Sequence, residues 1–207
     1  MRGTRGVIVG DVVDWSSLPG RLVVLSGASG SGKSTLVRRL LGRPDLRLAV
    51  SVSATTREPR AGEVHGRDYT FLSPEAFEAG RDDLLESAEV HGFSYGTPAA
   101  PVRRALGEGT CVILVIDVQG GMQVRAKVPS ALLVFVQVPS LDELERRLRD
   151  RGTDDEPTIL RRLANARREL ELSESYDVHV VNDDLDRCVD ELAGVLVLAG
   201  CGRGNEA

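Results

Sequence analysis

The chain has 207 residues, 42% hydrophobic and 28% charged, which suits one domain of ordinary size with a real core and excludes a disordered or fibrous class. Its net charge of -5 gives no global field toward nucleic acid or an anionic membrane, so neither is an expected partner and any bound polyanion must meet a local cluster of cations. Cys111, Cys188 and Cys201 show no C-x-x-C spacing and no paired histidines, which argues against a disulfide framework or a zinc site and for a reducing cytoplasm.

In chain order, residues 1–20 read as a loose extension, with Val7-Ile8-Val9 and Val12-Val13 as the alternative of an added edge strand. The apolar stretch there is short and broken by Asp11 and Asp14, unlike a signal peptide, and no run of the chain approaches a bilayer span. Residues 21–26 (RLVVLS) form a buried-strand pattern that meets a glycine loop, and residues 34–41 read as a helix with Leu36, Val37, Leu40 and Leu41 on one side. Residues 51–98 are short, turn-rich and strand-like around Val52 and Tyr69, as in a small inserted lobe. Residues 111–116 (CVILVI) and 132–138 (LLVFVQV) are apolar runs of the kind found in interior parallel strands. Ser140 with Glu143 makes a capping box for a helix striped by Leu141, Leu144 and Leu148. A second helix follows Pro157, residues 178–181 are a short strand, and Leu185, Val189, Leu192 and Leu196 mark a closing helix. The last residues, from Gly200, read as a polar tail. Strands alternating with helices predict an α/β layered fold with a mainly parallel sheet.

Gly27, Ala28, Ser29, Gly30, Ser31, Gly32, Lys33 and Ser34 satisfy G-x-x-x-x-G-K-[ST] between a predicted strand and a predicted helix, with Thr35 next in line. Glycines let successive N–H groups point into one concavity, and the helix N-terminus adds partial positive charge. Lys33 is placed for the β- and γ-phosphates of a nucleotide, and the Ser34 hydroxyl for magnesium. One loop names no reaction.

Residues 51–69 (SVSATTREPRAGEVHGRDY) place Arg57 and Arg60 in a turn with Pro59 and Gly62, beside Ser53, Thr55, Thr56 and Tyr69. Arginine forks hold phosphate bidentately, and hydroxyls are the partners such a phosphate would use; a solvated charged loop is the other reading. The pattern S-x-S-x-T-T-R-x-P-R-x-G-E-x-x-G-x-D-Y resembles the GMP-binding signature of the guanylate kinases. The resemblance continues through Leu85-Glu86, Val90-His91-Gly92, Tyr95-Gly96-Thr97, Ile116-Asp117 with Gln119-Gly120, Arg151-Gly152-Thr153 and Val181-Asn182-Asp183, and covers about residues 21–197.

That resemblance implies a P-loop NTPase three-layer fold with a core of about residues 21–50 and 99–200, a GMP-binding lobe at 51–98 and a helical lid at about 147–165, before a polar tail at 201–207. It implies that ATP and magnesium sit on residues 27–35 with Asn182 at the adenine, and that no other cofactor is used. Ser53, Arg57, Arg60, Tyr69 and Tyr95 would hold the GMP phosphate, with Glu86, Thr97 and Asp117 at or near the guanine. Asp117 and Ser34 would meet the metal, Asp117 through water. Lys33, Arg147, Arg151 and Arg162 would serve the transfer itself, whereas Arg146, Arg149 and Arg161 read as the polar face of two helices. Guanine offers N1–H and an N2 amine that one carboxylate can accept together; adenine offers neither pairing. The implied reaction is transfer of the ATP γ-phosphate to GMP, giving ADP and GDP in purine nucleotide metabolism, and dGMP is not distinguished from GMP. A guanylate-kinase-like binding module and a sugar-phosphate kinase on the same fold are the alternatives.

One departure stands out. The family usually carries D-x-D before the Q-G pair, and here Val115 occupies the first acid's position, two residues before Asp117. Residues i and i+2 of a strand face the same way, so the substitution is expected to weaken the metal side of the site. Ser87, where an aromatic is common, is expected to affect packing alone.

Overall fold

The computed structural model describes residues 14–90, 92–150, 152 and 154–203. The chain runs β1 (Leu22–Ser26), α1 (Lys33–Leu41), β2 (Leu48–Val50), β3 (Ala54–Thr55), β4 (Thr70–Phe71) and α2 (Pro74–Ala79). It continues through β5 (Leu84–Val90), β6 (Phe93–Pro98), α3 (Ala99–Gly107), β7 (Cys111–Val115), α4 (Val118–Lys127) and β8 (Leu132–Gln137). It closes with α5 (Leu141–Asp150), α6 (Glu156–Leu172), β9 (Val178–Val181) and α7 (Leu185–Leu196).

Five strands make a parallel sheet in the order β2-β7-β1-β8-β9. β1 sits at its centre with all five residues buried, which is why its sequence is an unbroken apolar run ending in one serine. Alternate side chains serve opposite faces. Val23, Leu25 and Ile113 pack with Leu36, Val37 and Leu40 of α1 and Val189, Leu192 and Leu196 of α7. Leu22, Val24, Val112 and Leu114 pack with Val102 and Leu106 of α3 and Val118 and Val124 of α4. The result is the three-layer α/β fold expected from the sequence.

A second sheet, in the order β4-β3-β6-β5, stands apart with its own small core of Ala54, Phe77 and Leu84. Its α2 begins at Ser73, whose hydroxyl accepts from Ala76 N at 3.2 Å. α5 and α6 pack on each other through Leu144, Leu148, Ile159, Leu163 and Ala166, with Ala28 of the glycine loop in the same cluster. The capping box at Ser140 forms as the spacing predicts, Glu143 N donating to Ser140 Oγ at 3.1 Å.

Three expectations change. Residues 14–20 are not a loose extension: Trp15 and Leu18 pack against the core and Gly20 N donates to Leu106 O at 2.8 Å, while the strand alternative at residues 7–13 lies outside the described residues. The chain beyond Gly200 is not a tail from its start, because Cys201 is buried and Arg203 N donates to Asp45 O at 2.8 Å. Asp117 is not a strand residue facing with Val115; it is the N-cap of α4, its Oδ1 accepting from Gly120 N at 2.8 Å. Val115 ends β7 and packs toward the α1 and α7 face, so the same-face argument stops two residues short of Asp117.

Candidate active site

The glycine loop joins β1 to α1. Gly27, Gly30 and Gly32 have φ of 146°, 95° and 94°, backbone that side chains with a Cβ rarely adopt and that lets successive loop amides face one concavity. Lys33 reaches back across the concavity to donate to Ala28 O at 2.9 Å and to Gly27 O. Burial pushes its ammonium pKa down, and the carboxylates of Glu169 and Asp117 oppose that shift. The loop is locked from behind by Asn182, buried, whose Nδ2 donates to Ser31 O at 2.8 Å. A Cβ on Gly32 would stand 2.3 Å from that same nitrogen. Asn182, expected at the adenine, commits one amide N–H to the shape of the phosphate loop. Ser34 and Thr35 fall in the first turn of α1.

In the lobe, the side chain of Arg57 is mostly covered and doubly bonded to Glu63, Nη2 lying 2.9 and 3.0 Å from the two carboxylate oxygens. Its guanidinium lies over Tyr69 and Phe71, 5.5 and 5.9 Å from the ring centres. Glu63 also accepts from Arg60 N at 2.8 Å, so one carboxylate shapes the whole arginine turn and is itself held below its usual pKa by Arg57. Tyr69 and Tyr95 meet edge to face at 6.0 Å, and Ser53 accepts through its carbonyl from Thr70 N at 2.9 Å. The structure brings Arg57, Tyr69 and Tyr95 together, with Arg60 exposed at the rim. Glu63 went unassigned in the sequence, although it stands three residues after Arg60 inside the quoted motif.

Glu86 is 5% exposed and accepts from Thr97 Oγ1 at 2.6 Å. Burial raises its pKa; the Thr97 hydrogen bond opposes the shift, Asp117 adds to it, and Lys127 opposes it. A Cβ on Gly120 would stand 3.1 Å from Glu86 Oε2 and 3.5 Å from Asp117 Oδ1, so both carboxylates lie against the same glycine. Asp117 also accepts through its carbonyl from Ser26 Oγ at 3.2 Å, one residue before the glycine loop.

α5 and α6 supply two arginines. Arg162 Nη1 donates to Ser29 Oγ at 3.1 Å and its Nη2 pairs with Asp154 at 3.1 Å, so α6 already touches the phosphate loop. Arg147 donates to Asn182 O at 2.9 Å and to Glu143 at 2.7 Å. Arg151 lies outside the described residues. Arg146 and Arg149 form exposed ion pairs with acids of α5 and α6, and Arg161 bonds Thr158, which accounts for them without a site role.

The family model described as guanylate kinase matches residues 19–198. This chain belongs to the guanylate kinase family. Curated guanylate kinases from Nitratidesulfovibrio vulgaris and Gloeobacter violaceus are 52% and 53% identical to it, with 86% and 85% of this chain covered and 86% of each relative. The crystal structure of guanylate kinase from Anaplasma phagocytophilum superposes with a TM-score of 0.68 at 30% identity, covering 91% of this chain and 92% of that one.

As a guanylate kinase the chain raises the question of a metal. Among the described residues no group of three or more His, Cys, Asp and Glu could hold an ion alone. Magnesium commonly takes one or two carboxylates and completes its shell with water and substrate phosphates, which matches the hard oxygens of Ser34 and Asp117 beside a phosphate loop. Asp117 keeps Oδ2 outside its capping bond. Glu169 of α6 lines a cavity of about 210 Å³ together with Asp117, and its Oε2 is buried without a hydrogen-bond partner. Sequence reading missed Glu169, which sits among helix-spaced charges and is set apart by tertiary position alone. It missed as well the buried pair in which Tyr176 Oη donates to Ser26 Oγ at 2.7 Å, and Ser26 in turn to Asp117 O at 3.2 Å.

Proposed function

We infer that this chain transfers the γ-phosphate of ATP to GMP, giving ADP and GDP, as an ATP:GMP phosphotransferase of purine nucleotide metabolism. The observation that carries the reading is Asp117, whose carboxylate lies with that of Glu86 against Gly120 and whose carbonyl accepts at 3.2 Å from Ser26 Oγ, the residue before the glycine loop. That position supports two anion pockets sharing one cleft.

In this reading residues 27–35 wrap the ATP phosphates, and Lys33 leaves its carbonyls for the transferring group when nucleotide enters. Ser53, Arg57, Arg60, Tyr69 and Tyr95 hold the GMP phosphate, with Arg57 held in place by Glu63. Glu86, ionised, accepts from guanine N1–H and the N2 amine; Thr97 fixes the carboxylate and Asp117 stands at the base. Phosphoryl transfer needs positioning and charge stabilisation rather than covalent help. Arg162 and Arg147, with Arg151, bring positive charge to the transferring group from the lid and exclude water. Ser34, and Asp117 through water, would hold magnesium, which would supply positive charge beside the ATP phosphates. The buried free thiols of Cys111, Cys188 and Cys201 favour a cytoplasmic setting. Among the described residues no helix is long and apolar enough to cross a membrane.

A coupled assay of ADP release with GMP, dGMP, AMP and a ribose phosphate tests the assignment. Turnover with GMP well above AMP is expected, and turnover with the ribose phosphate alone, or with none, would overturn it.

A further inference from the structure

The chain holds only two lysines, and the chemistry above uses one. The other, Lys127, lies one turn after Gln123 on α4, so the two share a helix face. That face meets β5, the strand that carries Glu86.

β5 is an edge strand, paired with β6 on one side only. Its ladder is irregular: Leu84 pairs with Pro98 and Ser87 with Gly96, so Leu85 and Glu86 both stand opposite Thr97. An extra residue of this kind interrupts the ladder, bends the strand and re-aims its side chains. Here both are buried: Leu85 packs into the core beneath α4 while Glu86 meets the Thr97 hydroxyl. A bulge on an open edge has no second strand to hold its register.

α4 takes the place of that strand. Gln123 Oε1 accepts from Ser87 N at 3.0 Å, and Gln123 Nε2 donates to Ser87 O at 3.0 Å, the two bonds an antiparallel neighbour would make. Lys127 Nζ donates to Leu84 O at 2.6 Å. The three bonds bracket Leu85 and Glu86 and no other residues. Lys127 also brings a cation that favours the ionised form of Glu86.

We propose that Gln123 and Lys127 are positioning residues which hold the β5 bulge, and through it the Glu86 carboxylate, and so set the selectivity of the enzyme for guanine. The proposal rests on the reading of Glu86 as the group that recognises the base. Ser87 is part of the device through its backbone N–H and C=O.

The test compares kcat and KM for GMP with those for inosine monophosphate, whose base keeps N1–H and lacks the N2 amine. Gln123→Ala is expected to raise KM for GMP and to shrink the GMP preference, each by about tenfold, while kcat at saturating GMP and KM for ATP stay within about twofold. Gln123→Glu, which keeps acceptance from Ser87 N and loses donation to Ser87 O, and Lys127→Met are read in parallel by the same ratio, so a poorly folded alanine variant does not end the experiment. A wild-type GMP preference in folded Gln123 and Lys127 variants, with Glu86→Gln losing that preference, would overturn the proposal. A wild-type preference in Glu86→Gln would instead remove the reading of Glu86, and the proposal with it.

Discussion

Gly121→Ala is the substitution on which the packing around the site turns. Alanine is ordinarily better than glycine inside a helix by about 1 kcal/mol, so a helix seen alone would be strengthened. Here the added Cβ would stand 2.0 Å from Tyr176 Oη and 3.0 Å from Cζ, distances no rotamer of alanine can relieve. Tyr176 must move, yet its ring packs edge-on against Phe135 at 5.7 Å between centres and its hydroxyl is bonded to Ser26. Overpacking of a core costs about 1–3 kcal/mol, and stranding a buried hydrogen bond about as much again. After the helix gain is set against them, the net is a loss of about 3 kcal/mol, or roughly 6–12 °C in Tm for a chain of this length. Urea and thermal denaturation of Gly121→Ala, Tyr176→Phe and the double variant measure it, because removing the hydroxyl relieves the closest contact. The double variant should be more stable than Gly121→Ala, with a coupling of about 1 kcal/mol or more. A Gly121→Ala protein as stable as the wild type would refute the reasoning, since the clash would then have been absorbed without loss.

Four further outcomes are expected. Lys33→Ala and Arg162→Ala should each lower kcat by about two orders of magnitude or more, with circular dichroism unchanged, because each removes charge from the transferring phosphoryl group. KM for GMP should fall as pH rises through the Glu86 pKa, which burial holds above the ordinary 4.5, and Glu86→Gln should abolish that dependence in steady-state assays. The same shift sets a stability slope: the folded state binds the Glu86 proton more tightly than the unfolded chain, so this group's contribution is full below 4.5 and is lost as pH rises through the folded value, a slope that denaturation of Glu86→Gln should lack. Val115→Asp would set a carboxylate against the apolar cluster of α1 and α7 instead of beside Asp117, so turnover with GMP should not rise above the wild type in steady-state assays, and denaturation should show a cost of about 1–3 kcal/mol of stability.

What could be read from the sequence is what depends on residues close together in the chain. The central strands announce themselves as apolar runs because both faces of a parallel sheet are covered, and β9 spans the four residues expected of it. The glycine loop and the arginine turn are contiguous, so their chemistry lies in one stretch of letters. Roles that depend on tertiary approach stayed hidden. Asn182 carries an amide that suits a base as well as a carbonyl, and only the fold presses it against Ser31. Glu63 looks like one more loop acid until Arg57 is seen folded onto it.

The least legible element is α4, and the reason is physical. Its first turns carry Gly120 and Gly121, each unfavourable in a helix by about 1 kcal/mol, and they interrupt the apolar stripe on which helix recognition depends. Both glycines answer a demand from outside the helix: one admits the Glu86 carboxylate and the other the Tyr176 hydroxyl. The cap at Asp117 offsets part of the loss, and the clasp on β5 adds tertiary bonds further along. A helix whose sequence argues against it, yet which carries Asp117 at one end and brackets Glu86 along its side, is held by the site as much as it holds it. The local rule is broken at the position where lobe and core must meet, and that is where strain on propensity is expected to collect.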